Sequence, residues 1–170
     1  MLKHLIFAAL LAVPGAAMAQ APNDAQIAHI AYTAGAIDVA AAQQAATKAT
    51  NPEIKAFAAE MERDHKAVNV QAMALVKKLN VTPQDNPTSQ ALSKAAAAKL
   101  ADLGKLNGAA YDRAYVENEV AYHKTVNGAM EITLIPGAKN AELKALLQTG
   151  LKLFQSHQAH AEHLAMTLAK

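Results

Sequence analysis

The chain has 170 residues, a formal net charge of +2, and a hydrophobic fraction of 52 %. The nearly balanced charge argues against the basic face that nucleic-acid binding requires, so no nucleic-acid partner is expected. Cysteine is absent, which excludes disulfides, thiolate metal sites and cysteine nucleophiles.

Residues 1–19 have the features of a cleavable secretory signal peptide, in the order that export requires. Lys3 gives a basic start, an apolar stretch follows over residues 5–13, and a small-x-small pattern ends at Ala19. The apolar stretch is shorter than the roughly 20 residues that span a bilayer, which disfavours a retained anchor. We therefore expect cleavage between Ala19 and Gln20 and a periplasmic or secreted mature chain.

The remaining residues, 20–170, predict a single helical domain without strands. Cap, proline and glycine signals divide it into four long helices and one short helix. The long helices are expected over residues 24–49, 52–80, 109–134 and 140–169, and the short helix over residues 89–103. The first boundary is the clearest, because Asn51 suits an N-cap and Pro52 suits the first helical position. Charges interrupt every apolar run, so no transmembrane segment is expected in the mature chain.

Four long helices of similar length predict an all-α fold, an antiparallel four-helix bundle. The links within the first and second helix pairs are tight. The link between the pairs is long and contains the short helix, which predicts a crossover between the second and third long helices.

Each of the four apolar stripes carries a side chain that can bind a metal. On helical wheels these residues are Asp38, His65, Glu119 with His123, and His157. The lengths of the tight links place Asp38 and His65 within about 3 Å of each other along the helix axis, and they place Glu119 and His157 within a similar distance. The crossover leaves open whether these two layers coincide. Two separate hydrogen-bonded pairs, or an accidental alignment on the wheels, are the alternatives to a metal site.

Other polar and aromatic residues receive different interpretations. Glu62 precedes His65 by three residues but points about 60° away from it on the wheel, which makes it a poor ligand. Asp64 lies nearer the stripe and is expected to orient His65. The histidines on the outer faces are expected to be solvated; they are His29, His160 and His163. The tyrosines of the third long helix are expected to pack; they are Tyr111, Tyr115 and Tyr122.

Residues 51–58, 61–65 and 106–115 resemble the exported bacterial domain-of-unknown-function family four-one-four-two. The resemblance covers nearly the whole mature chain and implies a ferritin-like helical bundle. The family's pattern of Asp-His in the second helix and single histidines in later helices matches Asp64-His65, His123 and His157. The family carries no established activity, so the resemblance implies the fold more than the function.

The chain departs from a ferritin di-iron site, which uses glutamates from two helices and Glu-x-x-His motifs from the other two. Asp38 stands in the first helix, and no glutamate faces the interior from the last helix. Three histidines with one or two carboxylates suit a single Zn, Cu or Fe ion better. The leading hypothesis is a non-enzymatic periplasmic metal-binding bundle. A metal-dependent redox enzyme and a structural or stress-related interaction protein without a metal site are the alternatives.

Overall fold

The structure, a computed structural model, describes residues 21–169, and the predicted signal peptide over residues 1–19 lies outside them. This part of the chain is all-α, as predicted, and contains no strand. Its helices are α1 (Asp24–Lys48), α2 (Pro52–Lys78), α3 (Pro87–Gly104), α4 (Gly108–Ala129) and α5 (Ala141–Leu168). None of the described helices is long and apolar enough to cross a membrane.

Asparagine caps set the beginnings of four helices. The side chains of Asn23, Asn51, Asn86 and Asn140 each accept a hydrogen bond from a backbone N–H of the following first turn. The prediction that α3 begins at residue 89 was wrong by two residues. Asn86-Pro87 repeats the cap-and-proline pattern of Asn51-Pro52, so the helix begins at the proline.

The two tight links each join a pair of antiparallel helices. Between α1 and α2, Asp38 lies beside His65 and Gln43 donates to Glu62, so residue numbers rise on one helix as they fall on the other. Between α4 and α5, the same relationship joins the contacting pairs Lys124–Glu162 and Asn127–Gln158.

The two pairs also pack against each other in antiparallel fashion. Asp64 and Lys78 of α2 contact His157 and Glu142 of α5, respectively. On the opposite side, α1 contacts α4, where the Tyr122 hydroxyl donates to the carbonyl of Ala34. Each of the four long helices therefore has two long neighbours, with α2 and α4 diagonal to each other.

Helix α3 is the crossover between these diagonal helices. It runs beside α1 in the same direction, with His29 of α1 next to Ser89, and Gln44 donating to the carbonyl of Leu100. This placement returns the chain to the end where α4 begins. His29, predicted to be solvated on the outer face, is instead partly covered by α3 and contacts the Ser89 hydroxyl at 2.9 Å.

The third long helix, predicted to end at residue 134, continues beyond α4 as far as Gly137. A π-helical segment, Met130–Leu134, leads into a single helical turn, Ile135–Gly137. Pro136 has no N–H to donate to the carbonyl four residues earlier, and the π-type bond from Ile135 N to Met130 O accommodates this loss.

Each tight link is fastened by an aspartate from the other helix pair. Asp112, at the start of α4, accepts hydrogen bonds from the Thr50 N–H at 2.9 Å, the Thr50 hydroxyl at 2.6 Å and the Asn51 N–H at 2.9 Å. At the opposite end, Asp24 of α1 accepts from the backbone N–H groups of Lys139 and Asn140, both at 2.8 Å.

The apolar core has two parts, one near each end of the helices. One part surrounds Phe57, Tyr111 and Tyr115, and the other contains Ile27 and Leu147. Buried polar side chains fill the level between them, and this level contains the candidate site.

Candidate metal centre

All five residues predicted as metal ligands lie in the interior. Each residue exposes at most 3 % of its surface; they are Asp38 of α1, His65 of α2, Glu119 and His123 of α4, and His157 of α5. Ligand atoms of the three histidines lie within 4.8 Å of one another, and so do those of Asp38, Glu119 and His123. His123 belongs to both sets, so the crossover brings the two predicted layers together into one cluster.

The three imidazole rings surround a common volume. Ring centroids are separated by 5.7 Å for His65–His123, 5.3 Å for His65–His157 and 5.8 Å for His123–His157. These distances leave room for one ligand nitrogen from each ring to approach a shared point. The Asp–His and Glu–His pairs considered as the alternative are also adjacent, with His65 Nε2 3.5 Å from Asp38 Oδ2 and His123 Nδ1 3.7 Å from Glu119 Oε2, but both distances are long for hydrogen bonds.

A backbone contact orients His123. Its Nδ1 lies 3.0 Å from the carbonyl oxygen of Glu119, which can only accept, so Nδ1 carries the proton. The other ring nitrogen, Nε2, then has a free lone pair. It is buried and has no hydrogen-bond partner among residues 21–169.

A carboxylate orients His157 in the same manner. Its Nε2 lies 3.1 Å from Asp64 Oδ2, which leaves Nδ1 buried without a partner in the described part of the chain. The prediction that Asp64 orients His65 was therefore wrong. Successive residues of a helix are about 100° apart, and this rotation turns Asp64 toward α5 while His65 faces the interior.

His65 is held by packing rather than by hydrogen bonds. The ring of Phe154 stacks on it at 4.5 Å between centroids and an angle of 9°. Its Nε2 lies 3.5 Å from Asp38 Oδ2, which is beyond the usual hydrogen-bond range. Neither ring nitrogen of His65 has a hydrogen-bond partner in the described structure.

Burial keeps the three histidines neutral. Desolvation lowers the pKa of His65 to about 3 and that of His123 to about 4, with neighbouring histidines contributing further. Desolvation also lowers the pKa of His157, although its hydrogen bond to Asp64 opposes this effect. The close contacts with carboxyl groups are therefore not ion pairs at neutral pH, and the imidazole lone pairs remain available.

Asp38 and Glu119 form a buried acid pair. Desolvation raises the pKa of Glu119 to about 7, and desolvation with the nearby Glu119 charge raises that of Asp38 well above its ordinary value. Asp38 Oδ1 and Glu119 Oε2 have no donor among the described residues unless one of these carboxyls is protonated. The pair therefore retains a proton near neutral pH.

Two more buried polar groups lie on α4. The hydroxyl of Tyr115 has no partner in the described structure, and its pKa is raised by desolvation and by the charge of Glu119. Asn127 donates to Gln158, but its Oδ1 has no partner among residues 21–169. From the sequence, Tyr115 was expected only to pack, because its residue type and position do not indicate that its hydroxyl is enclosed.

The remaining candidates lie outside the cluster. Glu62, predicted to be a poor ligand, accepts from Gln43 and Lys66 instead. His160 is exposed and contacts Glu60 at 2.9 Å. His163 is also exposed, as expected for the outer face of α5.

The fold and the site define a class of all-α proteins that enclose a histidine–carboxylate cluster between their helices. The chain belongs to the family described as Domain of unknown function (DUF4142), whose sequence profile matches residues 10–164. This result confirms the resemblance predicted from the sequence. Searches of curated proteins and of solved structures each returned no match.

Proposed function

We propose that this protein is an exported, ferritin-like helical bundle that binds one transition-metal ion without catalysing a reaction. The ligands are His65, His123 and His157, with Asp38 and Glu119 supplying carboxylate oxygen. The observation that carries the proposal is the convergence of three neutral imidazoles whose free nitrogens are buried and unpartnered among residues 21–169.

Unpartnered polar atoms are costly inside a protein. Each buried donor or acceptor without a partner costs about 1–3 kcal/mol, and native interiors leave few of them. Here such atoms occur on all five proposed ligands. A metal ion bound at their centre would satisfy several of them at once, which is the strongest argument against a purely structural cluster.

The charges of the cluster also suit a divalent cation. The three histidines are neutral, and the acid pair retains a proton because a dry site disfavours two negative charges. A divalent ion would replace this proton and balance two carboxylates, leaving the buried site without net charge. Metal binding should therefore release protons from the acid pair rather than from the histidines.

Three nitrogen ligands with carboxylate oxygen favour Zn²⁺, Cu²⁺ or Fe²⁺ over Mg²⁺ or Ca²⁺, which prefer oxygen ligands. The contacts of His123 with a backbone carbonyl and of His157 with Asp64 are those that commonly orient metal-bound histidines. All five proposed ligands are almost fully enclosed. This enclosure favours binding over catalysis, since a catalytic metal requires an open coordination position for substrate.

The experiment is metal titration of the mature protein, starting at Gln20, after treatment with a chelator. We expect one Zn²⁺, Cu²⁺ or Fe²⁺ per chain and a higher melting temperature when the ion is bound. His123→Leu should abolish both effects, and His163→Leu, which alters an exposed histidine, should preserve them. Absence of binding for all three metals in a folded protein would overturn the proposal.

The same samples separate the two alternatives. Oxygen consumption on adding Fe²⁺ or Cu⁺ would identify a redox enzyme. If no metal binds and replacing His65 and His123 with apolar residues leaves function in cells unchanged, the structural or interaction role applies instead. The mass of the protein purified from the periplasm would test both export and the predicted cleavage site.

A further inference from the structure

An apolar cavity of about 370 Å³ lies between the helices, on the side of the cluster away from the α1–α2 link. All five helices contribute to its lining, with Thr88 and Leu92 of α3 forming one wall. Phe154 separates the cavity from the proposed metal centre, because it lines the cavity and stacks on His65. The cavity is therefore a distinct space beside the histidine cluster.

The lining determines which chemistry the cavity can accept. Among residues 21–169, no charged side chain lines it, and most of its surface comes from aliphatic groups such as Val76, Leu147 and Met130. Its polar side chains are one asparagine and a few threonines. A charged ligand would lose its hydration without gaining a counter-charge, so the lining selects against ions.

The cavity is partly open to solvent, because Thr88, Thr125 and Thr133 on its lining are exposed, whereas Ala34, Val76 and Leu147 are buried. Water gains little in an apolar space that offers few hydrogen-bond partners. The volume falls within the range of about 300–1,000 Å³ that small-molecule sites occupy.

We propose that this cavity binds a neutral, apolar small molecule with a flexible aliphatic chain, such as a medium-chain alcohol. The driving force is burial of the chain against the aliphatic lining, and a threonine hydroxyl can serve one polar end group. This binding requires no metal, so it stands or falls separately from the metal centre.

The test measures binding of the neutral fluorescent probe N-phenyl-naphthylamine to the mature protein in the presence of a chelator. We expect enhanced fluorescence from the wild-type protein, displacement of the probe by dodecanol, and little displacement by dodecanoate. Equal displacement by the anion would overturn the assignment to neutral ligands.

A variant whose larger side chains fill the cavity tests directly whether the probe binds there. A Cβ at Gly150 would lie 3.5 Å from Phe154 and 3.9 Å from Met130, which are ordinary contacts, so a larger side chain there can extend into the space. Ala34 lines the cavity from α1. The Gly150→Leu/Ala34→Leu variant should bind the probe at least tenfold more weakly, and unchanged binding would refute the proposal.

The matched control addresses a second apolar surface, a shallow patch that includes Tyr32, Val70 and Met73 on the outside of α1 and α2. Val70→Ser/Met73→Ser should leave probe binding unchanged, and loss of binding there would place the probe on the surface instead. If the variant with the filled cavity misfolds, a measurement on the wild-type protein still tests the proposal. Nuclear Overhauser contacts should join dodecanol to the methyl groups of Leu147 and Met130, and their absence at saturating dodecanol would contradict the proposal.

Discussion

Asp64 accepts a hydrogen bond from His157 at 3.1 Å, across the interface between α2 and α5. Because this contact occupies Nε2, the tautomer of His157 is fixed and its other nitrogen, Nδ1, is left with a free lone pair. Asp64 is partly exposed, whereas His157 is buried. A carboxylate at the protein surface thus orients a proposed ligand in the interior.

Replacing this carboxylate should weaken metal binding without removing a ligand. For Asp64→Ala we expect the affinity for Zn²⁺ to fall about 10–100-fold, which is typical when the group that orients a metal-bound histidine is lost. Competition with a chromogenic chelator would measure the change. Asp102→Ala, at an exposed position of α3, is the control. Equal affinities of Asp64→Ala and the wild-type protein would rule out the orienting role.

The buried histidines should resist protonation in the metal-free protein. Their environment favours the neutral ring, with a pKa of about 3 for His65 and about 4 for His123. The imidazole NMR signals of both residues should therefore stay nearly constant from pH 8 down to about pH 5.5. Titration midpoints near the ordinary value of about 6.5 would show that solvent reaches these rings.

Glu119→Gln should make the metal-free protein more stable at high pH. Burial raises the pKa of Glu119 from 4.5 to about 7, so its favourable contribution to folding is complete below pH 4.5 and is lost as the pH rises through 7. Glutamine does not ionise, so the variant does not lose stability in this way as the pH rises. The difference in unfolding free energy between variant and wild type should therefore increase from pH 4.5 to pH 8, by up to about 3 kcal/mol.

Urea unfolding with a chelator present, at pH 5 and pH 8, would measure this difference. Glu117→Gln, at an exposed position of the same helix, should show no comparable dependence on pH. A variant whose advantage over the wild type shrinks between pH 5 and pH 8 would reverse the predicted sign.

Asp112→Ala should destabilise the fold while leaving the metal centre intact. The buried carboxylate accepts three hydrogen bonds at the α1–α2 link, and its removal ends all three. We expect a loss of about 3 kcal/mol in unfolding free energy. Chemical denaturation and Zn²⁺ titration together test this expectation. A loss of metal affinity in the folded variant would mean that Asp112 acts on the site as well.

The sequence predicts the helices well because their beginnings carry local signals. Asn51-Pro52 and Asn140 mark helix starts through contacts within a single turn, which a linear pattern can encode. The continuation of the helix through Pro136 was missed, because a π-type bond removes the usual conflict between proline and a helix. Such an adjustment depends on backbone geometry rather than on residue type.

The candidate site is only partly readable from the sequence. The apolar stripes identify Asp38, His65, Glu119, His123 and His157, because polar residues at interior positions are conspicuous. Their convergence depends on how α3 connects the two helix pairs, which link length alone does not determine. The pairing of Asp64 with His157 joins positions far apart in the chain, so no local pattern could predict it.

The aspartates at the two links also bear on how the molecule comes apart. Asp24 completes the link between α4 and α5, and Asp112 completes the link between α1 and α2. Each half supplies the aspartate that accepts from the link of the other half, so a partly unfolded state that keeps one half loses the hydrogen bonds at its own link. This reciprocity favours cooperative, all-or-none unfolding, in which the two halves lose their structure together.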